Sequence, residues 1–519
     1  MRVLLINSNR FKHPWPVIPF GICHVAAAVE EAGHPVQVLD LCFSEDCEGD
    51  IRRSIESFEP ELLGISVRNI DNGVGYETSF LLDEIRDEVI APCKRHFAGT
   101  IVLGGSAIGI NGVEILSYFD LEYGLRGDGE HGIVEFISRL ERSESPVGVG
   151  GLIIRKDGKT IQEASTASDV DINDVPHARP HHYLDLKPYL DLGSPLQIQT
   201  KRGCALHCAY CIYNVIEGRR YRLRDPQSIV REIEQLVQAT GSRHIEFVDS
   251  TFNIPLDHCK KVLRAIIGSG LKLKLRAMGL NPSAVDDELV ELLRQAGFVD
   301  VDLGVESGCD VTLRSLGKNF TKAQVLEAGR RLRGKGISIT WFLLLGSLDE
   351  SRETLRETFD TIVRAAARFD LIIISIGLRV YNNSPMANRL RSENRIDPPD
   401  NFLHPVCAEP EKLDVAAIRL LTKHEAMRRP NFYLYGEHDK VHLGFLRLGN
   451  TILKWIAPGQ PVWKWFVFLN TIQALLGIRF VRRRLFESRH REQLQEIDRR
   501  TSAMPLGGSP LHARSGNGA

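Results

Sequence analysis

Residues 200–211 read Thr200-Lys201-Arg202-Gly203-Cys204-Ala205-Leu206-His207-Cys208-Ala209-Tyr210-Cys211, and this run decides how the rest of the chain is read. Three cysteines spaced CxxxCxxC can place three thiolates on three irons of a cubane cluster. No fourth cysteine lies nearby, so the fourth iron would stay open to another ligand. The run directly follows a strand-like stretch, and the carboxyl end of a barrel strand is where barrel active sites form. The same cysteines also allow a zinc site completed by His207, although structural zinc sites take four ligands, often as paired CxxC.

Downstream of this run, apolar stretches alternate regularly with amphipathic ones. Strands are predicted at 196–200, 244–248, 271–277, 299–305, 337–345 and 370–378, separated by helices at 226–239, 256–267, 285–296, 322–334 and 350–367. Six βα units in series predict a partial or complete parallel barrel over 196–390, an α/β architecture. Upstream, residues 1–140 carry strand patterns at 2–6, 35–39, 62–66, 100–103 and 121–124 with helical patterns such as 21–32 and 47–58 between them. That layout predicts a Rossmann-like, doubly wound domain. Residues 141–195 read as a linker holding one hairpin, Leu152–Arg155 followed by the turn pair Asp157-Gly158. His177, His181 and His182 in that linker read as solvated residues more readily than as ligands.

Residues 391–499 read as a mainly helical region, and the polar, Gly-rich residues 500–519 as a disordered tail. Within the helical region, 462–480 gathers Trp463, Trp465, Phe466, Phe468, Leu469, Leu475 and Leu476 beside Lys464 and Arg479. Such a segment can lie on a membrane surface as a peripheral contact or pack on the barrel. It also points to an apolar or lipid-like substrate.

The 519 residues carry 65 basic and 66 acidic side chains, a net charge of −1. No global field favours nucleic acid or an anionic membrane. The start, Met-Arg-Val-Leu-Leu-Ile-Asn, has a strand's pattern and not a signal peptide's. Ten cysteines in a chain of this size predict a reducing, cytoplasmic compartment with metal or catalytic thiols, not a disulfide scaffold.

With Tyr210 before the third cysteine, the run resembles the radical SAM superfamily motif, CxxxCxΦC. The resemblance implies a [4Fe–4S] cluster on Cys204, Cys208 and Cys211. Its open iron would take the amino and carboxylate groups of S-adenosylmethionine (SAM), and the reduced cluster would cleave the C–S bond. Three later segments resemble the family's SAM-facing elements. They are Glu246 to Asn253 with Asp249, Val301 to Gly308 with Glu306, and Phe342 to Glu350 with Gly346. The resemblance thus makes Tyr210, Asp249, Glu306 and Gly346 SAM-binding. Ser250 stands where a second Asp is usual and Leu348 where a proline is common. Glu306 would otherwise be a structural ion pair, because a carboxylate in an apolar run is costly unless paired. Glu350 reads as helix-start electrostatics. Arg219, Arg220, Arg222 and Arg224 could neutralise a carboxylate, though a structural role explains them equally well.

Glycine loops follow two upstream strands: Gly104-Gly105-Ser106, and Gly127-Asp128-Gly129-Glu130. Their order ahead of the cysteine run resembles the cobalamin-binding radical SAM subfamily, which includes methyltransferases and the anaerobic Mg-protoporphyrin cyclase type. The resemblance implies cobalamin at Gly104, Gly105, Ser106, Gly127 and Glu130. The cobalt-ligating DxHxxG of classical B12 domains is missing, although His13 lies in the corresponding loop. The function this implies is methylation of an unactivated carbon in a biosynthetic pathway. The substrate would be a small molecule, and a flavodoxin or ferredoxin would supply electrons. A radical cyclisation or rearrangement without methyl transfer is the alternative. A non-catalytic metal-binding scaffold is the alternative of another class.

Overall fold

A computed structural model describes residues 1–12, 15–164, 170–396, 402–436 and 478–502. His13, the tail from 503 and residues 462–477 of the Trp-rich segment lie outside the described residues.

The first sheet begins with β1 (Val3–Asn7), β2 (Val36–Asp40), β3 (Leu62–Ser66), β4 (Thr100–Gly104) and β5 (Tyr123–Leu125). These five are parallel, in the order β2-β1-β3-β4-β5. Four of these strands bury almost every residue, as strands covered on both faces must. Leu4, Ile6, Leu63 and Leu103 face the helices over 47–58, 82–96 and 106–119. Val3, Leu5, Val102 and Leu125 face Phe20–Glu31 and Gly129–Glu141. The strand order reverses between β1 and β3, and in open α/β sheets ligands lie in the crevice beyond the carboxyl ends at such a point. A cavity of about 330 Å³ opens there, lined by Asn9, Arg10, Lys12 and Arg68 among others.

The hairpin expected in a linker belongs to this sheet instead. β6 (Leu152–Lys156) pairs antiparallel with β5, and β7 (Lys159–Gln162) with β6, making seven strands. Asp157 and Gly158 both have positive φ, as a two-residue hairpin turn of this kind requires. The pairing covers the edge that β5 would otherwise expose. The rest of the expected linker is only partly solvated: His182 is exposed, but other residues pack inward. Tyr189 is fully buried and its hydroxyl donates to Asp40 Oδ2 at 2.8 Å. His177 bonds Ser228 Oγ at 2.9 Å, and His182 approaches Glu30 at 3.2 Å. Burial holds His181 below its usual range.

β8 (Leu196–Ile198) starts the second sheet and leads into a two-stranded ribbon, β9 (Lys201–Arg202) with β10 (Arg222–Leu223). Then follow β11 (His244–Phe247), β12 (Lys274–Leu280), β13 (Phe298–Glu306), β14 (Ser338–Leu345) and β15 (Leu371–Ile376), each after a helix. β16 (Leu378–Val380) and β17 (Val406–Ala408) form a small antiparallel ribbon. β18 (Phe432–Leu434) returns to pair parallel with β15. The sheet runs β18-β15-β14-β13-β12-β11-β8 and stays open, as an incomplete barrel must. The seventh strand lies in the region expected to be helical. A run of only three residues, Phe-Tyr-Leu, is too short to show a period. Helices flank it, at Val415–Arg428 before it and at Ile478–Arg489 and Arg491–Ser502 after it. No described helix is long and apolar enough to cross a membrane.

One apolar core joins both sheets. It runs from Val3 and Phe20 through Tyr189 and Leu196 to Leu275, Val301, Trp341 and Ile374.

Candidate active site at the cysteine loop

The cysteine loop leaves the carboxyl end of β8, and its course is fixed by its own backbone and by two neighbouring loops. Cys204 N donates to Gly218 O at 3.0 Å, and Gly203 N to Glu217 Oε2 at 3.2 Å. Gly203 has φ +89, and a Cβ there would lie 2.0 Å from Arg220 O. Only glycine fits that close approach without moving backbone. Farther along, Ala209 N donates to Leu316 O at 2.9 Å, and Met386 N to Ala209 O at 2.8 Å.

Cys204 and Cys208 are buried and Cys211 nearly so. Burial pushes the Cys211 thiol up to about 12, and the charges of Cys208 and Cys204 push it the same way. Burial also raises Cys208, partly offset by Lys318. Thiols held protonated this way become ligands only by exchanging protons for metal. Among the described residues no three of His, Cys, Asp and Glu converge as ligands of one metal ion. Burial pushes Glu217, in the same loop, up to about 7.

Beneath the loop the structure brings Tyr210 and Glu306 together and adds Lys318. The Tyr210 hydroxyl donates to Glu306 Oε1 at 2.6 Å, and Lys318 Nζ pairs with Oε2 at 2.9 Å. Burial works against the charge on Lys318, but Glu306 together with Cys208 and Cys211 outweighs it and holds the ammonium above its usual range. Glu306 ends β13 at φ +55, a left-handed conformation costly for a side-chain-bearing residue. The ion pair foreseen for Glu306 exists, with a lysine and not an arginine. Lys318 lies twelve residues downstream, beyond the helix Asp310–Ser315, and no local pattern pointed to it.

Gly346 N donates to Glu350 Oε2 at 3.2 Å, and Thr354 Oγ1 donates to Oε1 at 2.6 Å. Glu350 therefore ties the loop after β14 to the next helix, whose N-cap is Ser351. Burial raises its carboxyl.

Two residues expected at ligands also hold the protein's own groups. Asp249, expected to meet SAM, is buried under the loop's entry. Its Oδ1 accepts from Thr200 N at 2.7 Å and Lys201 N at 3.2 Å, while Oδ2 accepts from Thr200 Oγ1 at 2.7 Å and lies 3.4 Å from Lys201 Nζ. Both oxygens are held there, so it braces the strand end. Glu130, expected at cobalamin together with Gly127, is buried and pairs with Arg202 at 2.7 Å. Its neighbour Asp128 pairs with Arg202 at 3.0 Å and Arg222 at 2.5 Å. The Gly127–Glu130 turn therefore sits on the β9–β10 ribbon, whose two buried arginines need counter-charges. Arg224 pairs with Glu232 at 2.7 Å.

The other glycine loop stays open. A Cβ on Gly104 would meet nothing within 4 Å, whereas one on Gly105, at φ +92, would lie 2.5 Å from Val67 O. Ser106 Oγ donates to Arg68 O at 2.7 Å and starts the helix Ser106–Phe119. That helix reaches the cysteine loop: a Cβ on Gly109 would stand 3.6 Å from the Cα of Ile216, five residues after Cys211.

Residues 198–362 match the radical SAM superfamily. Over 456 residues the chain is 26% identical to the tryptophan 2-C-methyltransferase of Streptomyces laurentii, covering 75% of this chain and 74% of that one. It is 26% identical over 378 residues to the anaerobic magnesium-protoporphyrin IX monomethyl ester cyclase of Cereibacter sphaeroides, covering 69% and 59%. Among solved structures it resembles the radical SAM methyltransferase TsrM of Kitasatospora setae, bound to tryptophan and a SAM analogue. There the TM-score is 0.69 and the identity 26%, over 79% of this chain and 80% of that one. The fold is also that of the cobalamin-dependent radical enzyme OxsB, with TM-score 0.68 at 14% identity, over 96% and 80%.

Proposed function

We propose that the chain, whose residues 198–362 match the radical SAM superfamily and which resembles a radical SAM methyltransferase solved with cobalamin and a [4Fe–4S] cluster bound, methylates an unactivated carbon of a small molecule, using a [4Fe–4S] cluster, SAM and cobalamin. Cys204, Cys208 and Cys211 would hold the cluster. Tyr210, Glu306 and Gly346 would border SAM at the strand ends. Gly104, Gly105 and Ser106 would receive the corrinoid. When bound, the cluster supplies an electron to SAM and the corrinoid carries a methyl group.

The observation that carries this reading is the junction of the two sites. The helix that starts at the open glycine shelf packs on Ile216, just past the cysteine loop. The chain's own residues would then bury the thiols, hold Tyr210 against Glu306, and keep water from the space between the sheets. A small electron-carrier protein would act as reductant.

The test is product analysis after anaerobic reconstitution with SAM, cobalamin, a reductant and candidate substrates. Methyl transfer to an unactivated carbon releases both S-adenosylhomocysteine and 5′-deoxyadenosine in step with methylated product. A rearrangement, the reading favoured by likeness to the magnesium-protoporphyrin cyclase, releases 5′-deoxyadenosine alone. A colourless chain holding one zinc would overturn both.

The glycine shelf makes a separate prediction. Gly105→Ala places a Cβ against Val67 O at a positive φ, a strain of ~1–3 kcal/mol. Corrinoid uptake, read by absorbance after gel filtration, should fall by ~10-fold or more. Iron content should stay unchanged.

A further inference from the structure

We propose that Asp128 and Glu130 are positioning residues for the cysteine loop, closing its stem by neutralising two arginines that face each other across it. This rests on the reading that Cys204, Cys208 and Cys211 hold the cluster.

All three cysteines lie in the loop 203–221, whose two ends are joined by the β9–β10 ribbon. In that ribbon Arg202 sits directly opposite Arg222. Like charges directly opposite are destabilising, and an arginine cannot shed its proton to escape. Both side chains are only 9% exposed, so water screens them poorly. A two-residue ribbon has too few hydrogen bonds to hold against that repulsion by itself.

The counter-charges come from the other sheet. Asp128 Oδ2 stands 2.5 Å from Arg222 Nη1 and 3.0 Å from Arg202 Nη1, bridging the pair, and Glu130 Oε1 adds a 2.7 Å contact to Arg202 Nη2. Two positive and two negative side chains then balance. The stem is neutral only when the Gly127–Glu130 turn of the first sheet is seated on it.

Adhesion between the sheets does not explain this arrangement. The apolar core is already continuous across them, and a buried ion pair adds little stability over apolar packing. What it adds is register: guanidinium forks accept carboxylates in few geometries. The turn that sequence resemblance gave to cobalamin therefore sets the stem from which Cys204 leaves, two residues past Arg202. The sheet proposed to hold the corrinoid would thus also shape the cluster site.

The test is hydrogen–deuterium exchange on the full-length chain, metal-free and under anaerobic conditions. Asp128→Asn keeps the shape but removes the charge. It should raise exchange across 203–221 by at least tenfold while β11 to β15 stay protected. Asp128→Asn combined with Arg222→Gln removes the repulsion along with the counter-charge. That double variant should recover most of the protection, an outcome that simple loss of contacts would not give. If Asp128→Asn fails to fold, Glu130→Gln carries the same test with a smaller rise, rescued by Arg202→Gln. Wild-type exchange in the single variants, or a double variant no better protected than its single, overturns the proposal. Iron content after reconstitution is read separately. A wild-type chain that takes up no iron overturns the cluster reading and leaves the exchange result standing.

Discussion

Cys208→Ala is expected to bring SAM cleavage down to background. The loss should exceed the ~10–100-fold that follows removal of an outer partner of a metal ligand, because on the proposed reading a ligand itself is lost. Cys208 is buried, and its thiol is raised by burial and pulled back by Lys318. With alanine there, only two thiols remain for three irons, and a two-thiolate cubane exposes a second iron to solvent. Iron and sulfide content and the absorption near 400 nm should fall with cleavage. Corrinoid uptake should not, since Gly104 to Ser106 belong to the first sheet. The substitution removes one sulfur in a loop fixed by backbone hydrogen bonds at Cys204, Ala209 and Gly203, so the fold survives it. Undiminished cleavage in Cys208→Ala would sink the cysteine assignment.

The parallel strands were legible because each is a short apolar run between amphipathic helices, and period and length together separate the two. β11, β13 and β14 lie within a residue or so of the predicted bounds. What escaped was chemistry between distant residues. Asp249 and Glu130 are carboxylates after strands, which is where ligand contacts also occur. Local sequence does not show that Lys201 and Arg202 hold them. The arginine run was noted, but its partners lie on the other sheet, about ninety residues away in the case of Arg222 and Asp128. The turn pair Asp157-Gly158 after Leu152–Arg155 is enough to mark a hairpin. Its docking on β5 depends on an edge that only the folded sheet defines.

Lys318 is the residue whose importance only the fold exposes, and Lys318→Met should be among the most destabilising single changes in the chain. Glu306 is mostly buried, and its two oxygens are held by Tyr210 and Lys318. Methionine fills the lysine's volume but leaves a carboxylate with one hydroxyl and no counter-charge. Removing one partner of a buried pair costs ~3–5 kcal/mol. Partial exposure of Glu306 places the expected loss near the lower end, ~3 kcal/mol, read from chemical denaturation of the metal-free chain. Adding Glu306→Gln should return a good part of it, because the amide keeps the Tyr210 hydrogen bond and carries no charge. The consequence for the site is local as well. Glu306 sits at φ +55, a strain that persists only where its surroundings hold it. Lys318 also lies over the Tyr210 ring at 5.8 Å. Without the ammonium, Tyr210 is held less firmly between Cys208 and Cys211, so the reconstituted protein should show a broadened electron paramagnetic resonance signal even where iron is retained. A Lys318→Met chain as stable as wild type, with an unchanged signal, would mean that the Tyr210–Glu306–Lys318 group does not set the floor of the cysteine loop.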